Sequence, residues 1–140
     1  MRIVIIDGQG GGVGKNLVEA IGRKCPGEEI IAVGANAMAT ANMMKGTGVN
    51  GATGENAVVY NCARADVIAG PVGIVLANAM LGEITPKMAE AVSSSEAQIL
   101  LIPMNRCHAT IIGVEKRKLS EFIEEAADLV ADACRNGRQV

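Results

Sequence analysis

The sequence predicts a single α/β domain over residues 1–140, with three layers: a mostly parallel sheet of about 4–5 strands and helices on both faces. Three observations predict it. Strand-length apolar runs at Arg2–Asp7, Glu29–Gly34, Val67–Ala69 and Gln98–Ile102 alternate with helical patterns. The first run meets five glycines within seven residues, Gly8-Gln-Gly-Gly-Gly-Val-Gly14, and a helix follows at once. The strand ends turn polar or glycine-rich at Asp7, Asn36, Gly70-Pro71-Gly73 and Asn105-Arg106. A parallel sheet with right-handed crossovers brings all of these to one edge, where such sheets bind ligands.

Each element follows from its own residues. After the first strand, Val13, Leu17, Ile21 and Cys25 recur every four positions with Val18 beside them, so one helical stripe faces a core. Pro26-Gly27 ends that helix, and Ile30–Val33 forms the second strand. Ala37 to Met44 reads as a helix whose Met38, Met43 and Met44 serve as core filler. The glycine-rich connection Lys45–Gly54 hides a short strand near Val49. Thr53 is the expected cap of a helix from Gly54 to about Arg64. Asp66 introduces the third long strand, and Ile74 to Leu81 reads as helical. Thr85-Pro86 is a clean helix start, cap then proline at the first position, running to about Val92. Gln98–Ile102 is a strand closed by Pro103, and Ile111–Val114 is expected as an edge strand. The last helix, about Ser120 to Ala133, turns Phe122, Ile123, Ala126, Val130 and Ala133 to one side and its acids to water.

The glycine loop carries the functional signal. Strand, glycine turn and helix aim free N–H groups and the positive helix end at an anion. Residues Gly8, Gln9, Gly10, Gly11, Gly12, Val13, Gly14 and Lys15 are therefore the expected cradle for a phosphate group. The spacing Gly-x-Gly-x-x-Gly fails in every register. Gly8, Gly12 and Gly14 instead fit Gly-x-x-x-Gly-x-Gly, which resembles the cofactor loop of short-chain dehydrogenases, and Gly8, Gly11 and Gly14 fit Gly-x-x-Gly-x-x-Gly, which resembles that of their longer relatives. Gly11-Gly-Val-Gly-Lys15 resembles the phosphate loop of partitioning-type ATPases. It departs at Gly10, where those proteins carry a signature lysine, and at Asn16, where they carry the magnesium-binding hydroxyl. No carboxylate follows the second strand to grip a ribose, and Asn36 offers a weaker grip.

Composition narrows the classes. Hydrophobic residues make 49% of the chain and charged ones 20%, so the surface is apolar enough for self-association, as a homodimer or another homo-oligomer. The net charge is −2, and Tyr60 and Phe122 are the only aromatic residues. Nucleic-acid binding needs basic clusters and stacking rings, and both are missing; for the same lack of rings, flavin or adenine stacking on an aromatic side chain is not expected. No run is long enough to span a bilayer, and there is no signal peptide, so no membrane partner and a cytoplasmic location are expected. Cys25, Cys62, Cys107 and Cys134 never form Cys-x-x-Cys, which leaves reduced thiols and no metal site.

Candidate chemistry is sparse. Asp7 is placed to act as a base, to bind metal or to fix the turn, with turn-fixing ahead. Asp66 begins its strand and lies at the opposite edge, so the two cannot form a paired-carboxylate site. Arg106, just past a strand end, suits phosphate or carboxylate. Cys107 and Glu83 are the remaining catalytic candidates, the first as a thiol, the second as an acid or base. His108 faces away from Cys107 in an extended segment. Tyr60 and Arg64 imitate a Tyr-x-x-x-Lys dyad, but arginine does not deprotonate to match it.

Ile6-Asp-Gly-Gln-Gly-Gly-Gly12, Gly51-Ala-Thr-Gly-Glu-Asn56, the block Gly70–Asn78, Leu81-Gly-Glu83, Thr85-Pro86 and Pro103-Met-Asn-Arg-Cys107 together resemble a small bacterial family of unknown function. The resemblance implies a Rossmann-like glycine-loop domain and assigns no reaction. The expected function is binding of a nucleotide or another phosphorylated small molecule, with an NAD(P)-like cofactor first. The alternatives are a small enzyme acting on an anionic metabolite and a non-catalytic, ligand-sensing homo-oligomer.

Overall fold

Apolar β-branched residues with no charge between Arg2 and Asp7 suit a strand buried on both faces. In the computed structural model, which describes residues 1–104 and 108–137, Arg2–Asp7 is the central strand β1. Ile3, Val4, Ile5 and Ile6 are fully buried there, each contributing about 1.5–3 kcal/mol of hydrophobic stabilisation. The chain then forms α1 (Gly12–Lys24), β2 (Glu29–Gly34), α2 (Ala37–Met44), β3 (Asn50–Thr53), α3 (Glu55–Cys62), β4 (Val67–Pro71), α4 (Pro86–Ser93), β5 (Gln98–Ile102) and α5 (Leu119–Asn136). A single 3-10 turn, Val72–Val75, follows β4.

The five strands lie in the order β3-β2-β1-β4-β5, and every pairing is parallel. Alternate residues of each strand feed opposite cores. Ile3 and Ile5 face the layer of α1, α2 and α5, where Leu17, Ile21, Met43 and Val130 pack. Val4 and Ile6 face α3 and α4, with Val58, Ile74, Met88 and Val92. Beta-1 feeds α1 on one face, whereas β4 feeds α4 on the other. The winding therefore reverses between β1 and β4, and the crevice outside their carboxyl ends is where such folds take ligands.

Four local expectations are corrected. Ile111–Val114 is not a strand: Ile112 is 96% exposed, Gly113 is left-handed at φ 90°, and β5 remains the sheet edge. Ile74–Leu81 is not a helix, because Asn78, Met80 and Leu81 all have positive φ, which ends any helical run. Thr53 does not cap α3. Gly54 holds that position, and the Thr53 hydroxyl pairs with Thr40 Oγ1 at 2.7 Å. Of the methionines in α2, Met43 is core, but Met38 lies on the surface. Thr85 does cap α4, accepting from Met88 N at 3.1 Å.

Candidate functional site

Asp7 organises the loop. As the last residue of β1 it is 4% exposed, and its Oδ1 accepts from Gly8 N at 2.8 Å. Its Oδ2 accepts from Gly14 N at 2.7 Å. Gly11, the residue before α1, has no side chain with which to cap the helix. The Asp7 carboxylate takes that role from five residues upstream of Gly12, satisfying the Gly14 N–H of the helix end that sequence reasoning reserved for a ligand. Burial pushes its pKa up, the N–H groups of Gly14 and Gly8 oppose the rise, and the nearby Glu83 charge adds to it. Both of its oxygens are engaged beneath the loop, which answers the turn-fixing reading.

Most other loop groups are also engaged. Gly11 N donates to Gly8 O at 2.9 Å, and Lys15 N to Gly11 O at 2.8 Å. Gln9 N donates to Glu83 Oε1 at 2.9 Å. Asn36 Nδ2 donates to Gln9 O at 3.0 Å, and Asn42 Nδ2 to Gly10 O at 2.8 Å. The Lys15 ammonium points away from the crevice, to the carbonyls of Asn42 and Lys45 at 3.2 and 2.9 Å and to Glu19. It neutralises the C-terminal end of α2, so the predicted lysine contact with a ligand is corrected. Among the described residues, the N–H groups of Gly10 and Gly12 have no partner.

Steric fit divides the five glycines in the same way. A Cβ on Gly8 would lie 2.6 Å from Met80 Sδ, on Gly11 2.7 Å from Ala39 O, and on Gly14 2.8 Å from Asp7 Cβ. Gly11 also has φ 72°. Gly11 and Gly14 are demanded by the fold, and a side chain at Gly8 would have to displace Met80 and Glu83. A Cβ on Gly10 or Gly12 would meet nothing within 4 Å, and neither has positive φ. Glycine at those two positions has no packing reason, although Gly12 opens a helix, where glycine weakens the structure.

Both residues line a crevice of about 690 Å³ at the β1–β4 reversal. Its walls also hold Pro71 and Gly73, together with Asn78, Met80, Leu81, Met104 and His108, the last five of which sequence reasoning had not placed there. The turn-forming Asn78 and Gly82, set between β4 and the Thr85-Pro86 start, were the available signal. Gly70 is corrected: it lies inside β4, and a side chain there would strike Ile6 O of β1. Asn36 is not in the crevice wall. Its Oδ1 caps α2 through Ala39 N at 2.8 Å, and its Nδ2 donates to Glu83 Oε1 at 2.7 Å. Glu83 is thus a structural acceptor for two donors. The expectations for Asn105, Arg106 and Cys107 fall outside the described residues. Burial raises the thiols of Cys25 and Cys62 to about 11, which leaves them unreactive near neutral pH. Among the described residues no three His, Cys, Asp or Glu side chains gather to hold a metal, and no helix is long and apolar enough to cross a membrane.

The fold has a solved counterpart. A dodecameric FMN-dependent Ubix-like decarboxylase from Escherichia coli O157:H7 is similar to this chain, at 14% identity over 96% of this chain and 95% of that one, with a TM-score of 0.51. At that identity the likeness establishes the Rossmann-like α/β fold and nothing about chemistry. None of the curated proteins matches the chain. Residues 2–135 match a domain of unknown function, DUF3842, and the chain belongs to that family.

Proposed function

We propose that the crevice at the β1–β4 reversal binds a small molecule through one phosphate group, a mononucleotide first among the candidates. The phosphate sits on the N–H groups of Gly10 and Gly12, and the rest of the ligand lies against Met80, Leu81 and Met104. One observation carries the reading: the two loop glycines that packing does not require are the two with free N–H groups, and both face the crevice. A missing Cβ at such a position lets phosphate oxygens reach the backbone.

The number of free donors sets the size of the anionic group. Two N–H groups suit a single phosphoryl group, whereas a pyrophosphate would also need the amides of Gly8, Gln9 and Gly14, which Asp7 and Glu83 hold. An NAD(P)-like dinucleotide is for this reason the second reading. The FMN dependence of the similarly folded decarboxylase makes FMN a natural first probe, alongside AMP. Calorimetric titration of the protein with FMN, AMP, NAD(H) and NADP(H) tests the reading. Saturable binding of a mononucleotide, lost in the Gly10→Ala/Gly12→Ala variant, is the expected result. Absence of heat from all four ligands would remove it.

A further inference from the structure

We propose that Glu83 determines ligand size, latching the segment between β4 and α4 across the place where the second half of a dinucleotide would lie. The inference rests on the one-phosphate reading and explains what restricts the site to it. In dinucleotide-binding folds the ribose is gripped at the end of the second strand, so the nucleoside lies between that end and the glycine loop. Here this gap is bridged. Glu83 Oε1 accepts from Gln9 N on the loop at 2.9 Å and from Asn36 Nδ2 just beyond β2 at 2.7 Å. The neighbouring Met80 covers Gly8 so closely that a Cβ there would lie 2.6 Å from its sulfur.

The segment that delivers Glu83 is held in an unusual backbone. Asn78, Met80 and Leu81 have φ of 66°, 58° and 57°, and Gly82 follows at 92°. Leu81 is 99% exposed, so its own packing does not fix that conformation. Instead, Asn78 N donates to Ile84 O at 2.7 Å and Ile84 N to Ala79 O at 3.2 Å, forming a closed turn whose free end Glu83 ties to the loop. Left-handed backbone in non-glycine residues persists where the surroundings over-determine it, and it clusters at ligand clamps. Beyond filling the gap, the carboxylate repels any phosphate placed beside Gln9.

The test is calorimetric titration of the full chain and three variants with FMN, AMP and NAD(H). Glu83→Ala removes the bridge and is expected to bind NAD(H) at least about tenfold more tightly than the native protein, so that its NAD(H) affinity rises relative to its mononucleotide affinity. Glu83→Gln keeps an acceptor of the same reach but loses the charge, and is expected to gain less NAD(H) affinity than the alanine variant. Glu83→Asp, one methylene shorter, is expected to gain part of the effect, and it stands in for the alanine variant if that one fails to fold. The proposal is overturned if neither truncation improves NAD(H) binding, if the native protein binds NAD(H) as tightly as a mononucleotide, or if the glutamine variant gains as much as the alanine one. Failure of the native protein to bind FMN or AMP would instead count against the one-phosphate reading. A gain of NAD(H) binding in the truncations would then still uphold the latch, and no gain would end both.

Discussion

Gly8, Gly11 and Gly14 differ from Gly10 and Gly12 although all five lie within one turn of chain. The first three are pressed against Met80, Ala39 and Asp7, and their N–H groups donate to Asp7 or to Gly8 O. The other two stand open, with no close neighbour to a Cβ and no partner for their N–H groups among the described residues. A glycine count treats them alike, but the fold uses three of them and leaves two for something outside the chain. A glycine-rich loop is therefore evidence for a ligand only to the extent that packing fails to account for its glycines.

The largest effect expected concerns the residue that makes the first group necessary. Asp7→Ala leaves two donors at Gly8 and Gly14 without their acceptor, which should cost about 2–4 kcal/mol in denaturant unfolding. A loss below about 0.5 kcal/mol would show that Asp7 does not organise the loop. Next come Gly11→Ala and Gly14→Ala, each expected to cost about 1–3 kcal/mol, the former by strain at positive φ and the latter by overpacking α1 against β1. Smaller and opposite, Gly12→Ala should stabilise by about 0.5–1 kcal/mol, because alanine suits a first helical turn better. Gly10→Ala should leave stability within about 0.5 kcal/mol. Equal destabilisation at all five positions would erase the division.

Asp7 also gives the loop a pH signature. Its pKa is raised in the fold, chiefly by burial, so between the ordinary carboxylate value and the raised one the folded protein binds more protons than the unfolded chain. Its contribution to stability is present at low pH and is lost as pH rises through the raised pKa. Asp7→Asn should flatten that part of the stability profile, measured by melting across acidic pH. An unchanged slope would assign it to other groups.

Much of this was legible in the sequence. Beta-1, α1, β2, α2 and β5 follow from hydrophobic spacing, because each buries a regular stripe or a continuous apolar run, and Thr85-Pro86 marked α4 directly. The crevice was legible as the shared edge of the strand ends. The Ile111–Val114 run read as a strand because apolar spacing alone does not reveal whether a neighbouring strand exists to pair with it. The partitioning of the loop was hidden for a related reason. Whether an N–H is free depends on acceptors supplied from afar, and Glu83 lies 74 residues from Gln9. Likewise, the left-handed run through Met80 and Leu81 is set by tertiary bonds, since neither residue favours that backbone on its own.

The central claim is that two particular N–H groups were left for a ligand, and amide NMR observes them one by one. Titrating the labelled protein with FMN or AMP should move the Gly10 and Gly12 N–H resonances most, with those of Gly8, Gly11 and Gly14 shifting little. Saturating ligand that leaves Gly10 and Gly12 unmoved, or perturbs all five alike, would contradict the account.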